Sequence, residues 1–392
     1  MKSISSIFSI LIVLIIFSNC KSSKVDKISL AGNWQVKLDS TDLGSQENWA
    51  SAKFEGQNIN LPGTLDDAEI GVKSTLEPAM NNYVLSNLTR KYQYIGKAWY
   101  QKEIEIPKDW VKENVTLSLE RIIWESTVFV NGKLIGKNNS LVAKHDYNVT
   151  EHLIEGKNLV TILIDNGNKF PNLNVAGTRY PDKVNQDMAH GYTNHTQIKW
   201  NGILGDILLK TTQKNAPENL QIYPISATNK IKVSFEQATI LENEVKCIIK
   251  SKEGNEVFSG NVSIEKGTKN SVSFEIAKPE NLQLWDEFNP NLYNVTVVTK
   301  TGEITDSFGY KFVGNDHGDL TLNDKRIFLR GNLECVIFPL TGYPPTKKED
   351  WAKLIKQAKA YGLNHLRFHS WCPPKAAFEA ADEAGFYYQV EL

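Results

Sequence analysis

The sequence predicts a multidomain protein: two successive β-sandwiches, then the first three or so units of a (β/α)8 barrel. Three observations predict it. Short runs of alternating apolar and polar residues recur from about residue 29 to 313, the period-two pattern of half-buried strands. Asn131-Gly132 sits between two such runs, and an Asn-Gly pair there is the strongest short hairpin signal, because both turn residues take positive φ. After Gly314 strands alternate with helical patterns, which implies parallel strands and right-handed crossovers.

The 392 residues exceed one ordinary core and suggest two or three domains. Hydrophobic residues make up 41% and charged residues 23%, as in a folded globular protein. Lys plus Arg total 44 against 45 Asp plus Glu, a formal net charge of −1. No global basic field exists to hold nucleic acid. The 9 Trp and 14 Tyr are many for this length; most fill cores, although such rings also suit stacking on flat partners.

At the start, Lys2 precedes an apolar run from Ile7 to Phe17. The run is too short to span a bilayer and fits a signal-peptide core. Phe17-Ser18-Asn19-Cys20 has the form of a bacterial lipobox, so residues 1–20 read as a lipoprotein signal peptide and Cys20 as the lipidated residue. The expectation is an exported lipoprotein held to a membrane through Cys20, in the periplasm or at the cell surface. Residues 21–28 form a polar linker. Cys247, Cys335 and Cys372 have irregular spacing, so they make neither a disulfide framework nor a metal signature.

Residues 29–212 read as the first sandwich. Trp99–Ile106 is a strand with Tyr100, Ile104 and Ile106 on one face, ended by Pro107. Val115–Leu119, Thr127–Val130 and Asn158–Ile164 follow the same pattern. Residues 213–313 read as a smaller, immunoglobulin-like sandwich, with strands at Lys230–Phe235, Glu244–Lys250, Ser271–Ile276 and Tyr293–Thr299. Residues 314–392 read as the barrel units. A strand is expected at Arg326–Asn332, then a helix opened by a capping box at Thr346 and Glu349. That helix carries Trp351, Leu354, Ile355 and Ala358 on one face and is closed by Gly362. Asn364–His369 is the next strand. Pro373-Pro374 opens a second helix ending at Gly385, and Phe386–Leu392 is a third strand.

In such a barrel, alternate residues of each strand face the lumen, and the site lies at the strands' C-terminal ends. The polar parity holds Arg330, Asn332 and Glu334 in the first strand, Arg367, His369 and Trp371 in the second, and Tyr387, Gln389 and Glu391 in the third. Any one of these reads equally well as half of an ion pair that fills the lumen, such as Arg330–Glu334 or Arg367–Glu391. Their coincidence on three strands favours a site for a polar ligand. Hydroxyl-bonding groups beside a Trp suit a sugar.

A resemblance takes hold on these residues. Leu30-Ala31-Gly32-Asn33-Trp34, Leu61-Pro62-Gly63-Thr64, Ala98-Trp99-Tyr100, Val130-Asn131-Gly132-Lys133 and Trp200-Asn201-Gly202-Ile203-Leu204-Gly205 resemble, in order, the landmarks of the N-terminal sugar-binding domain of glycoside hydrolase family 2, a jelly roll. Gly331-Asn332-Leu333-Glu334, Asn364-His365-Leu366-Arg367 and Ala381-Asp382-Glu383-Ala384-Gly385 resemble the start of its barrel. The resemblance implies a retaining exo-β-glycosidase acting on oligo- or polysaccharides. That chemistry needs two carboxylates roughly 5–5.5 Å apart. In the family these glutamates end the fourth and seventh barrel strands, so the acid/base and nucleophile are expected beyond residue 392 and the chain by itself is expected to be inactive.

The resemblance carries Arg367 over as a substrate-binding residue, with His369, Trp371, Asn332, Glu334 and Glu391 beside it. Glu391 matches a family glutamate that binds a metal ion in some members; no cofactor is otherwise implied. Asn364-His365-Leu366-Arg367-Phe368-His369-Ser370-Trp371-Cys372-Pro373 departs from the commoner Asn-x-x-Arg-x-Ser-His-Tyr-Pro order, which leaves the sugar specificity open. His190, His195 and Gln197 precede the Trp200 motif, where the family's first domain can lend loop residues to the barrel; ordinary loop polarity is the preferred reading. The alternative function is a non-catalytic carbohydrate-binding lipoprotein. A surface adhesin built of sandwiches fits less well, because it has no need of polar groups lining a lumen.

Overall fold

The computed structural model describes residues 27–75, 77, 79, 91–140, 142–167, 200–268, 270–336, 338, 340–369 and 371–391. The expected signal peptide with Cys20, and His190, His195 and Gln197, lie outside the described residues.

In the first unit two antiparallel sheets enclose one core. A six-stranded sheet runs in the order Lys133–Asn138, Glu125–Val130, Gly156–Asp165, Lys97–Ile106, Gly32–Asp39, Gln57–Leu61. A four-stranded sheet runs Lys27–Ser29, Ile207–Thr212, Asn114–Leu119, His145–Asn148. Alternation in sequence becomes alternation in burial: Tyr100, Ile104 and Ile106 face a core shared with Trp34, Ile162, Leu117 and Leu209. The hairpin forms where Asn131-Gly132 predicts it, with φ of 51° and 78° and Val130 paired with Lys133.

Two of the sequence landmarks meet each other. Gly63–Thr64 pairs with Gly202–Ile203. Gly202 has φ of 145°, and a β-carbon there would lie 2.2 Å from the Gly63 carbonyl oxygen, so only glycine allows the approach. The Asn201 side chain accepts from the Tyr100 hydroxyl at 2.7 Å and donates to the Gly96 carbonyl at 3.1 Å. The spacing of these motifs therefore reflects one buried junction.

The middle unit repeats the plan with two four-stranded sheets. One runs Glu218–Ile225, Lys230–Glu236, Ser271–Ala277, Glu265–Lys266; the other runs Glu256–Ser263, Glu244–Ser251, Tyr293–Thr299, Gly302–Phe308. Its core gathers Val233, Phe235, Cys247, Phe274 and Val295. Cys247, Cys335 and Cys372 are free thiols, and burial pushes the Cys247 thiol up to about 12.

The third unit corrects two expectations. No single strand spans 326–332. Residues 313–326 form a small antiparallel sheet of Val313–Asp316, Asp319–Leu322 and Lys325–Arg326. The first parallel strand, β1, is Gly331–Glu334; it is followed by helix α1 (Lys348–Ala360), β2 (His365–Phe368), α2 (Lys375–Ala384) and β3 (Tyr387–Val390). The strands pair β1–β2–β3 in parallel. The capping box does not form either. Thr346 donates its hydroxyl to the Leu204 carbonyl of the first unit, at 3.3 Å, and α1 starts after Lys347 without a side-chain cap. Trp351 and Ile355 are buried as the helical spacing predicts, whereas Leu354 is largely exposed. Among the described residues no helix is long and apolar enough to cross a membrane.

A wedge from the middle unit, Trp285 to Glu287, closes the N-terminal end of the parallel sheet. Trp285 donates to the Asp382 carbonyl at 2.8 Å and meets the Tyr387 ring edge-on at 5.9 Å. The Glu287 carboxylate accepts from Asn364 Nδ2 at 2.7 Å and lies 3.7 Å from the Arg330 guanidinium. Gly385, at φ 64°, ends α2 against the Glu287 backbone, where a β-carbon would lie 2.5 Å from the carbonyl oxygen. Gly385→Ala is expected to destabilise the third unit by at least ~1–2 kcal/mol, from left-handed backbone strain before any clash. Limited proteolysis should then cut within 331–391 earlier than in the parent; unchanged cleavage would contradict the wedge.

Candidate functional site at the rim of the parallel sheet

Each strand of the parallel sheet contributes one row of side chains to an open face and one row to the helices, and register decides which. Leu333 pairs with Arg367 and Arg367 with Gln389; Glu334 pairs with Phe368 and Phe368 with Val390. Phe368 packs edge-on against Trp351 of α1 at 6.0 Å and against Tyr388 at 4.8 Å, and Tyr388 meets Phe378 of α2 at 5.8 Å. The helices therefore cover the Phe368–Tyr388 face. The opposite face, with Leu333, Arg367 and Gln389, is exposed.

The polar parity predicted for the first strand is thus displaced by one residue. Asn332 and Glu334 share the side of Leu366 and Phe368, not that of Arg367. The cause is a pair of bonds one residue before the strands begin. The Arg330 amide donates to Asn364 Oδ1 at 2.7 Å, and the Asn364 amide donates to the Arg330 carbonyl at 2.9 Å. Arg330 itself turns towards the Gly362 carbonyl, 2.7 Å from Nε, and towards Glu287. No Arg330–Glu334 ion pair forms among the described residues.

Arg367 and Glu391 do come together. Their ion pair lies on the open face at the strands' C-terminal ends, with the Arg367 side chain about half exposed. His369 follows directly on β2, and its amide donates to the Glu334 carbonyl at 2.8 Å. Glu334 lies at the same rim. Burial, then the Glu334 and Glu391 charges, raise the Cys335 thiol. Asn332 is exposed, and its Oδ1 accepts from the Leu333 amide at 2.9 Å.

Trp371 does not offer a ring to a ligand. It is buried, stacks edge-on against Phe368 at 5.1 Å and lies 6.4 Å from Trp351. Its parity fails because the chain has left the strand by Phe368 and turns back over the helices. It joins a core built from two units: Trp124, Trp200 and Leu204 of the first with Val336, Trp351, Ile355, Phe368 and Trp371 of the third.

Sequence reasoning missed several residues at the boundary between the first and third units. Val336 has φ of 59°, a conformation that β-branched residues rarely take. Arg121 of the first unit reaches across to the Cys372 carbonyl at 3.1 Å, and the Tyr343 hydroxyl donates to Asp67 at 2.9 Å. No local pattern announces such contacts, because each partner lies more than 200 positions away. Burial lowers the His365 imidazole from its ordinary value, where its ring lies against Gly331.

The Glu391 carboxylate holds the Arg367 guanidinium, and among the described residues no group of three or more His, Cys, Asp or Glu is placed to hold a metal ion.

Two sheet-built units followed by a parallel strand–helix array define a multidomain, β-rich protein. Residues 28–209 match the sugar binding domain of glycosyl hydrolases family 2, and residues 218–312 match a second description of glycosyl hydrolases family 2. The chain belongs to that family. A protein of Formosa agariphila named for β-glucuronidase activity is 25% identical over 362 residues, covering 88% of this chain and 40% of the relative. A β-galactosidase of Thermoanaerobacterium thermosulfurigenes is 24% identical over 378 residues, covering 93% of this chain and 48% of the relative. The chain therefore spans less than half the length of these relatives. A β-glucuronidase structure from Ruminococcus gnavus, in complex with D-glucaro-d-lactam, superposes with a TM-score of 0.72 at 17% identity, over 94% of this chain and 59% of that one; it shares the fold.

Two substitutions separate structure from site. Phe368→Ala should cost about 3–5 kcal/mol, as for large core aromatics. Arg367→Ala should change stability by roughly 0–1 kcal/mol, as for an exposed pair. Urea unfolding followed by Trp fluorescence measures both, and a larger loss from Arg367→Ala than from Phe368→Ala would contradict the assignment of faces.

Proposed function

We propose that this chain forms the front part of a retaining exo-β-glycosidase. In this reading the first unit is a jelly roll, the middle unit an immunoglobulin-like sandwich and the third unit the opening of a (β/α)8 barrel, bounded at about residues 29–212, 213–313 and 314–392. The observation that carries it is the Arg367–Glu391 pair on the open face, at the C-terminal ends of parallel strands. That is where barrel enzymes bind substrate. A guanidinium and a carboxylate there present fixed donors and acceptors to a sugar's hydroxyls. Support for the glycosidase class comes from the family membership and from the names of the relatives, which pair it with β-glucuronidases and β-galactosidases.

The two carboxylates of a retaining mechanism belong, in this proposal, to later strands of a longer polypeptide, and the rim residues bind and orient the terminal sugar. The chain of 392 residues alone should not hydrolyse 4-nitrophenyl β-D-glucuronide or β-D-galactoside. A polypeptide extended through the remaining barrel units should hydrolyse one of them. In that longer form Arg367→Ala should lower kcat/KM by about 10²-fold, the scale of a misplaced substrate. Turnover by the short chain at an enzymatic rate, or an unaffected Arg367→Ala enzyme, would contradict the proposal.

We further propose that Cys20 carries a lipid anchor, on the strength of the apolar run and lipobox that precede it. Expressed in a bacterium, the protein should partition into the membrane fraction and incorporate labelled palmitate. Cys20→Ser should abolish the label; label retained by that variant would contradict the anchor.

A further inference from the structure

Where the first unit hands over to the middle one, Asn114, Asn215, Glu218, Glu236, Gln237 and Asn270 surround a hollow of about 190 Å³. Glu218 and Glu236 are direct cross-strand partners at the start of the middle unit's first sheet. Like charges placed directly opposite are destabilising. Among the described residues neither carboxylate has a basic partner; Glu236 accepts only from the Asn219 amide, at 3.0 Å. The chain leaves this pair of charges uncompensated at a junction that tertiary packing has to hold.

Gln237 supplies a separate sign of a missing partner. It is 2% exposed, and its Oε1 has no hydrogen-bond partner. The orientation of its amide follows from its other contacts. Nε2 donates to the Asn215 carbonyl at 3.2 Å and to Thr301 Oγ1 at 2.9 Å, while that hydroxyl donates to the same carbonyl at 2.6 Å. A carbonyl can only accept, so the nitrogen is held there and the oxygen is the atom left over. Leaving a buried acceptor unmet costs on the order of 1–3 kcal/mol.

We propose that Glu218, Glu236 and Gln237, with the side-chain oxygens of Asn114 and Asn270, form a binding site for a calcium-like divalent cation at this junction. The donors are all oxygens, two charged and three amide, with no imidazole or thiolate among them. A hard cation of six to eight ligands and flexible geometry suits such a set, and a transition metal does not. Carboxylates from two strands and amides from the preceding unit and from the 270 turn would meet on one ion. Binding would thereby fix the first unit against the second. The inference is independent of the reading of the rim, which lies in the third unit.

Isothermal titration with calcium chloride, after dialysis against EDTA, should show one site on the 392-residue chain, and thermal melts should shift upwards with calcium. The E218Q/E236Q double variant should bind on the order of tenfold more weakly or worse, and its melt should no longer respond to calcium. In EDTA that variant should melt no lower than the parent, because the repulsion is gone. A parent with no calcium-dependent heat or melt shift, or a double variant that retains both, would overturn the site. A double variant that melts lower in EDTA would overturn it as well, since the carboxylates would then be structural without an ion.

Discussion

The apolar seam between the first and third units is the contact on which the remainder of the site depends. A three-stranded parallel sheet with two helices buries too little to stand alone, and its strands expose unpaired edges. Here Trp351, Phe368 and Trp371 continue into Trp124, Trp200 and Leu204 of the first unit as one cluster. Each such side chain removes a large apolar area from water, at roughly 25 cal/mol per Å². The seam fixes the helix-covered face of the sheet and, by exclusion, leaves the Arg367 face open.

At the other end of the strands the middle unit acts through polar contacts. Glu287 bonds Asn364, whose side chain also holds the Arg330 amide. One carboxylate thus touches the approaches to β1 and β2, and burial together with its charge raises the neighbouring Tyr387 hydroxyl on β3. Register in the sheet is set here, several residues away from the rim it controls. A single residue of slip would turn Arg367 towards the helices and Phe368 towards the open face.

The two sheet-built units were legible because their information is local. Strand alternation and Asn131-Gly132 each act within a few residues or across one hairpin. Arg367 and Glu391 were legible for a related reason, since Arg367 lies on β2 and Glu391 follows directly on β3. The first strand of the parallel sheet was not. Its parity depends on where pairing begins, and residues 327–330 that read as strand lie outside any strand, before β1. Trp371 was misread because a turn ends the alternation, and the same aromatic character that suits a sugar also suits a core. Thr346 has capping-box spacing, yet its hydroxyl is used by a first-unit carbonyl, which no local pattern records.

The account therefore makes the rim a property of all three units: one covers the helices, one sets register, and the third presents the polar pair. Its most direct test is a crystal structure of the longer polypeptide with a bound sugar lactone. The account predicts the sugar ring against the open face, with Arg367 or Glu391 within hydrogen-bonding distance of a hydroxyl. A lactone bound on the sandwiches, with the Arg367–Glu391 pair buried under later strands and out of reach of it, would contradict the account.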